Sequence, residues 1–235
     1  MNAPRVVVVI PALDEEASLG QVLDAIPPTV EAVVVCDNGS RDRTAEVARA
    51  HGALVVHEAR RGYGSACLRA LDAVRARPEG PPDVVCFLDA DYSDYPEDLP
   101  RLIEPIAAGE ADLVLGSRML LPEARASLLP QARFGNQLAT FLIRLLWGVR
   151  YTDLGPFRAV RWDALERVRM RDPDFGWTVE LQIKAARHGL RAMEVPVRYR
   201  RRVGVSKITG TLRGTFAAGT KILTTIGRYG LFDRG

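Results

Sequence analysis

Along the first half of the chain, short unbroken apolar runs alternate with segments in which apolar residues recur every three or four positions. "RVVVVIPAL", "EAVVVCDNG", "ALVVHE" and "PDVVCFLDAD" are runs of the first kind and read as strands buried on both faces. "SLGQVLDAI", "DRTAEVARAHG" and "GYGSACLRALDAVRAR" are of the second kind and read as helices, the middle one ending at Gly52. Strand and helix in this alternation predict an α/β fold, a mostly parallel central sheet flanked by helices. In an open sheet of that type ligands collect beyond the carboxyl ends of the strands. Pro11, Asp37 and Asp89 fall at such ends.

Further on, "PEDLPRLIEPIAAG" reads as a helix and "ADLVLGSRM" as a strand, after which the pattern loosens from Leu120 to Gln131. An apolar helix, "NQLATFLIRLLWGV", follows, then a helical "TVELQIKAARHG", a strand-like "RAMEVPVRY" and a closing amphipathic stretch, "ITGTLRGTFAAGTKILTTIGRYGLF". The organisation expected is a single domain over residues 1–207 with an amphipathic, basic C-terminal segment over 208–235.

Composition supports one globular unit: 235 residues, 47% hydrophobic and 26% charged, can fill a core. Cys36, Cys67 and Cys86 are odd in number and lack metal-ligand spacing, so they read as reduced core thiols and imply a cytoplasmic location. No apolar segment approaches the roughly 18 residues needed to span a bilayer, which leaves peripheral contact as the expected mode of any membrane association. Charge is uneven. Residues 195–235 carry nine Lys or Arg and one acid, against 23 basic and 28 acidic residues before them. The densest part, "RYRRRVGVSK", favours an anionic partner such as phosphate, nucleic acid or a lipid head group, or else forms a solvated face.

The chemistry concentrates in "CFLDADYSDYPEDL". Asp89 and Asp91, two residues apart on a chain leaving a strand, can both approach a hard divalent cation, Mg2+ or Mn2+, which would take diphosphate oxygens as further ligands. The alternative is a solvated acidic turn, or Asp94 and Glu97 as helix-start acids. Asp37 can accept a hydrogen bond from an imide N–H or a ribose hydroxyl, or cap a turn. In "DNGSRDRT", Asp42 reads as a helix-start residue. "RRGYGSA" offers glycines at which backbone could approach phosphate, although glycine at a strand-to-helix turn is also ordinary.

Taken in order, "VVVIPALDEE", "VVVCDNGSRDRTAEVA", "RRGYGSACLRAL" and "VVCFLDADYSDYPEDL" resemble family 2 glycosyltransferases of the GT-A fold. The resemblance implies that Pro11, Ala12, Glu15 and Asp37 hold the nucleotide of a sugar donor, with Asp89 and Asp91 carrying the metal on its diphosphate. The second half, "LGSRM", "RFGNQLATFLIRLL", "YTDLGPFRAV" and "TVELQIKAARHGLRAMEVPVRYRRRVGVSK", resembles the polyprenyl-phosphate and dolichyl-phosphate hexose synthases. That resemblance implies an inverting transfer of a hexose from a UDP- or GDP-sugar to a lipid phosphate at the cytoplasmic membrane face. Arg118, Arg133 and Arg202 would bind the acceptor phosphate, Asp153 would serve as base or acceptor organiser, and Lys207 would lie on a loop closing over the diphosphate. Guanidinium suits this task because it stays charged and grips phosphate in a bidentate fork. The chain departs from the family pattern at Gly155 and Pro156 and at "YSDYPEDL", where a glutamine metal ligand is replaced and water or Ser93 would substitute.

Glu180 is open between a buried structural partner and a contact to acceptor or sugar. Another reading keeps the donor site but gives it a soluble small-molecule acceptor. A dinucleotide-binding oxidoreductase is excluded because "IPALDEE" follows the first strand where G-x-G-x-x-G would be needed. Nucleic-acid binding is disfavoured because the basic tail lacks interleaved aromatics beyond Tyr199.

Overall fold

β-branched residues are stiff at χ1 and pack well on a pleated surface, and β1 (Val6–Ala12) opens with Val6 to Ile10, all of them buried. Val7 and Val9 face one helical layer, Val6, Val8 and Ile10 the other. This two-sided burial explains why the strand sequence is continuously apolar rather than alternating. The structure, a computed structural model, describes residues 3–204 and 212–231. β2 (Ala32–Asp37), β3 (Leu54–His57), β4 (Val84–Phe87), β5 (Leu113–Ser117), β6 (Arg158–Arg161) and β7 (Ala192–Pro196) complete a seven-stranded sheet, ordered β3-β2-β1-β4-β6-β5-β7. Only β6 runs antiparallel to its neighbours, β4 and β5.

α1 (Leu19–Asp24), α2 (Thr44–Ala50) and α4 (Leu99–Ala107) cover one face. The other carries α3 (Tyr63–Arg75), α6 (Pro130–Trp147), α7 (Trp162–Val168), α8 (Trp177–Arg187) and α9 (Leu212–Leu231). A short α5 (Pro122–Ser127) links β5 to α6 where the sequence pattern loosens. The described part of α9 packs on α6 and α8, and its Ile226 and Tyr229 join the same core. No described helix is long and apolar enough to cross a membrane. The sheet order reverses beside β1, which has β2 on one side and β4 on the other. That is where an α/β sheet forms a crevice at its carboxyl edge.

Candidate active site

A cavity of about 230 Å³ opens at that edge. The end of β1 supplies Pro11, Ala12 and Glu15, and the chain leaving β4 supplies Asp89, Ala90 and Asp91. Arg61, Gly62 and Tyr63 come from the start of α3, with Asn38, Phe175 and Arg202 completing the walls. Six of the residues singled out in the sequence thus share one cleft: Pro11, Ala12, Glu15, Asp89, Asp91 and Arg202. Asp37 lies just behind it, buried, its Oδ1 accepting the Ser40 N–H at 3.0 Å and its Oδ2 3.0 Å from His57 Nδ1. His57 ends β3 in register with Asp37 at the end of β2, a contact that histidine spacing along the chain could not reveal. Asp42 takes its expected place at the start of α2, accepting the Thr44 N–H.

The electrostatics of the cleft are dominated by carboxylates. Asp91 is 6% exposed, and its Oδ1 accepts the Ser93 N–H at 2.9 Å. Oδ1 of Asp89 is buried without a hydrogen-bond partner. Burial, followed by the charge of Asp91, pushes the pKa of Asp89 up, against the opposing effects of Arg202, Tyr63 and Arg118. A buried acidic oxygen without a partner, beside a second carboxylate, offers two oxygen ligands of the kind a hard divalent cation takes. Mg2+ or Mn2+ therefore fits here. Among the described residues no three or more His, Cys, Asp or Glu converge on one point, so the pair would leave most ligand positions to donor oxygens and water.

The basic tail is partly used inside the molecule. Tyr199 pairs with Asp94 in an antiparallel bridge, and the N–H groups of Arg200 and Val203 donate to the carbonyls of Ser93 and Asp91. Because side chains alternate along an extended segment, Arg198, Arg200 and Arg202 all turn to the 91–98 loop. Arg198 grips Asp98 through Nε and Nη2, and Arg200 stacks over Tyr92 and Tyr95 at 3.4 and 3.9 Å from the ring centres. Arg202 Nη2 reaches Glu15 at 2.9 Å and Asp91 at 3.3 Å. Arg202, expected at the acceptor phosphate, thus contacts Glu15 and Asp91, two of the residues expected at the donor. Lys207 lies outside the described residues.

A second polar cluster sits at the ends of β5 and β6. Arg118 donates Nε and Nη2 to the two oxygens of Asp153 at 2.8 and 2.7 Å, and its main-chain N–H adds a third bond. The N–H groups of Leu154 and Gly155 also donate to Asp153 Oδ1. Burial alone would raise the Asp153 pKa, but the Arg118 charge and these hydrogen bonds outweigh it and hold the carboxyl below its ordinary value. Gly155 gives the guanidinium room, since a Cβ there would lie 3.2 Å from Arg118 Nε. Arg118 also stands over the Tyr199 ring at 5.0 Å. Arg133 is half-buried in the first turn of α6. Next along that helix, Asn136 anchors the same loop: its Nδ2 donates to the Thr152 carbonyl and its Oδ1 accepts the Leu154 N–H, each at 2.8 Å.

Several functional positions were not legible from spacing. Asn38 holds the turn into α3, donating to the Glu58 and Arg60 carbonyls and accepting the Gly62 N–H. The glycines of "RRGYGSA" accept backbone of this same chain rather than leaving a phosphate cradle. Gly64 and Ser65 N–H donate to the Asp174 and Pro173 carbonyls, and a Cβ on Gly64 would lie 1.9 Å from the Asp172 carbonyl oxygen. Arg158, fully buried on β6, donates to the carbonyls of Thr178, Leu154 and Gly155. Burial lowers its pKa to about 10. Glu180 is a structural partner, bonded to Lys184, Tyr229 and the N–H groups of Arg171 and Asp172. Asp94 is not a helix-start acid: it is 1% exposed, and the short 3-10 turn begins at Pro96.

Comparison with known proteins agrees with this geometry. The family model described as glycosyl transferase family 2 matches residues 7–169. An uncharacterised glycosyltransferase of Mycobacterium tuberculosis is 40% identical over 93% of this chain and 96% of its own length. The undecaprenyl-phosphate mannosyltransferase of Micrococcus luteus is 32% identical, over 98% of this chain and 96% of its own. Among solved structures, glucosyl-3-phosphoglycerate synthase of M. tuberculosis, bound to Mn2+, UDP and glucosyl-3-phosphoglycerate, superposes with a TM-score of 0.75 at 28% identity, over 99% of this chain and 82% of that one. The chain therefore belongs to glycosyl transferase family 2, has the GT-A fold, and is a glycosyltransferase similar to the polyprenyl-phosphate sugar synthases.

Proposed function

We propose that the protein transfers a hexose from a UDP- or GDP-sugar to a polyprenyl phosphate, with inversion, while resting on the cytoplasmic face of the membrane. One observation carries the lipid acceptor: α6, whose Asn136 holds the Asp153 loop, displays Phe134, Phe141 and Leu145 to solvent at 69, 60 and 69% exposure. A phosphate at Arg118 and a hydrocarbon chain along α6 would be served by one helix. The relative named as an undecaprenyl-phosphate mannosyltransferase supports the same reading.

The nucleotide would lie over Pro11 and Ala12, with its base or ribose toward the Asp37 and Asn38 edge and Glu15 and Arg202 at its diphosphate. Asp89 and Asp91 would hold Mg2+ or Mn2+. When bound, the ion neutralises the diphosphate leaving group and positions it. A phosphate monoester has a second pKa near ~6 and is largely ionised at neutral pH, so its oxygen can attack the anomeric carbon in line without a strong base. Asp153, held low by Arg118, is a weak proton acceptor. Its role in this reading is to orient the Arg118 guanidinium and so the acceptor, with Arg133 nearby in sequence on the same helix that anchors the loop, and Lys207 as a further cation toward the diphosphate.

A second reading has its own support in the structural similarity to glucosyl-3-phosphoglycerate synthase, which was crystallised with a soluble product. A donor screen decides between them. UDP- and GDP-hexoses with Mn2+ are incubated with a short polyprenyl phosphate in detergent, or with 3-phosphoglycerate, and products are identified by mass. A hexosyl lipid phosphate is expected. A product formed only from 3-phosphoglycerate would replace the lipid acceptor by a soluble one.

A further inference from the structure

Asp94 is the least satisfied side chain near the site. It is 1% exposed, and neither carboxyl oxygen has a hydrogen-bond partner. Its main chain is fixed by the bridge to Tyr199 and by the Arg200 guanidinium on its carbonyl, and its carboxyl is enclosed by protein. The acids acting on it are Asp89, Asp91 and Asp153, and the cation is Arg118, which already gives Nε and Nη2 to Asp153. Burying a polar group with nothing to bond is destabilising. A group retained in that position asks for a ligand.

Its surroundings say which ligand. Asp94 lies three residues beyond Asp91, whose Oδ1 holds the intervening Ser93 N–H, and its bridge partner Tyr199 has the Arg118 guanidinium over its ring at 5.0 Å, so its segment joins the carboxylate end of the cleft to the Arg118–Asp153 pair. What lies between a leaving diphosphate and an attacking acceptor is the sugar being transferred, and its polar groups are hydroxyls. A carboxyl group accepts from hydroxyls when ionised and both donates and accepts when neutral. We propose that Asp94 is a specificity-determining residue that exchanges hydrogen bonds with the hydroxyls of the transferred hexose. Burial, followed by the charge of Asp89, raises the Asp94 pKa well above its ordinary value, which is compatible with either form in contact with a sugar. The inference rests on the donor site of the proposed function and is independent of whether the acceptor is lipid or soluble.

The test compares the parent protein with Asp94→Leu, which removes hydrogen bonding at similar volume, and Asp94→Asn, which keeps donor and acceptor. Dissociation constants are measured by calorimetry with Mn2+ for UDP against UDP-glucose and for GDP against GDP-mannose. The expected result is a ratio of sugar-nucleotide to nucleotide Kd that rises at least tenfold in Asp94→Leu, is largely restored in Asp94→Asn, and leaves the Kd for the bare nucleotide within twofold of the parent. Thermal unfolding of the nucleotide-free Asp94→Leu and Asp94→Asn proteins should occur at or above the parent temperature, because an unpartnered buried carboxyl has been removed. An unchanged Kd ratio, with or without a lower unfolding temperature, would make Asp94 structural and overturn the proposal. Equal losses for nucleotide and sugar nucleotide would place it in the diphosphate site and also overturn it. No binding of any of the four nucleotides to the parent would remove the donor site and, with it, this inference.

Discussion

Arg118 and Asp153 exemplify how a single residue pair is set by its surroundings. A carboxylate with 1% exposure survives as an anion because a bidentate guanidinium and three main-chain N–H groups face it. Removing one partner from such a buried pair leaves an uncompensated charge and costs ~3–5 kcal/mol. Arg118→Met should therefore lower unfolding stability by that order in denaturant titration at pH 7. The folded Asp153 pKa is depressed, so its stabilising contribution is fully present above the unfolded value of ~3.9 and is lost as pH falls through the folded value. The parent's advantage over Asp153→Asn should be level from about pH 5 to 8 and fade on acidification below about pH 4. A second prediction concerns the cleft. Asp91→Ala should reduce turnover by a hundredfold or more, on the order of losing one major electrostatic contact, and should abolish Mn2+-dependent binding of the donor, read by calorimetry with and without chelator. The Asp-x-Asp was legible because it interrupts an apolar run at a strand end. Asp94, Arg158 and Asn38 were not, because an isolated polar letter carries no sign of whether packing will bury it, and the Asn38 partners and the Thr178 carbonyl that meets Arg158 lie about twenty residues away in the chain.

At the scale of elements, two of the segments that contribute to the cleft are each held by a partner far away in sequence. The 91–98 loop is zipped to the tail by Arg198, Arg200 and Arg202. The start of α3 is docked on the 172–174 turn, with Phe175 next to it lining the cavity. Gly64 permits that docking. Gly64→Ala should force backbone apart, lower stability by ~1–3 kcal/mol as over-packing does, and weaken donor binding several-fold by shifting the Phe175 wall. Gly135 on α6 is the contrast: a Cβ there meets nothing within 4 Å. Gly135→Ala should raise stability by ~0.5–1 kcal/mol through helix propensity and leave donor binding alone. Thermal unfolding and calorimetry on the two variants check both statements. The alternation of apolar runs and helical periodicity was enough to read β1 to β4 and the helices between them, since a sheet covered on both faces admits little else. It did not disclose β6. "RAVR" is four residues with arginine at either end, and its place between β4 and β5 depends on Arg158 finding carbonyl partners inside the fold.

For the whole molecule, the question is how the uneven charge and the apolar face of α6 act together. Several arginines of the C-terminal region already serve internal contacts, so net charge overstates what the tail can offer an anionic surface. The rest still act at long range: basic residues near a membrane surface contribute ~1 kcal/mol each, a term that salt screens. Apolar insertion is less sensitive to salt and scales with buried area. Phe141 and Leu145 are 60 and 69% exposed, and moving side chains of this size fully from water to an apolar phase is worth about 1.5–3 kcal/mol each. Partial insertion of the two together corresponds to roughly 2 kcal/mol, or about thirtyfold in vesicle affinity. The double variant Phe141→Ser with Leu145→Ser should lose that factor in co-sedimentation with vesicles of neutral and anionic phospholipid. It should keep the parent unfolding temperature and nucleotide affinity, because neither side chain belongs to the core or the cleft. Raising NaCl from about 0.1 to 0.5 M should weaken parent and variant by a similar factor, since only the basic residues respond to screening. Vesicle binding by the variant equal to that of the parent would show that α6 does not enter the lipid. The acceptor chain would then have to approach the Arg118–Asp153 pair without the helix that anchors its loop, and the case for a soluble acceptor would be the stronger one.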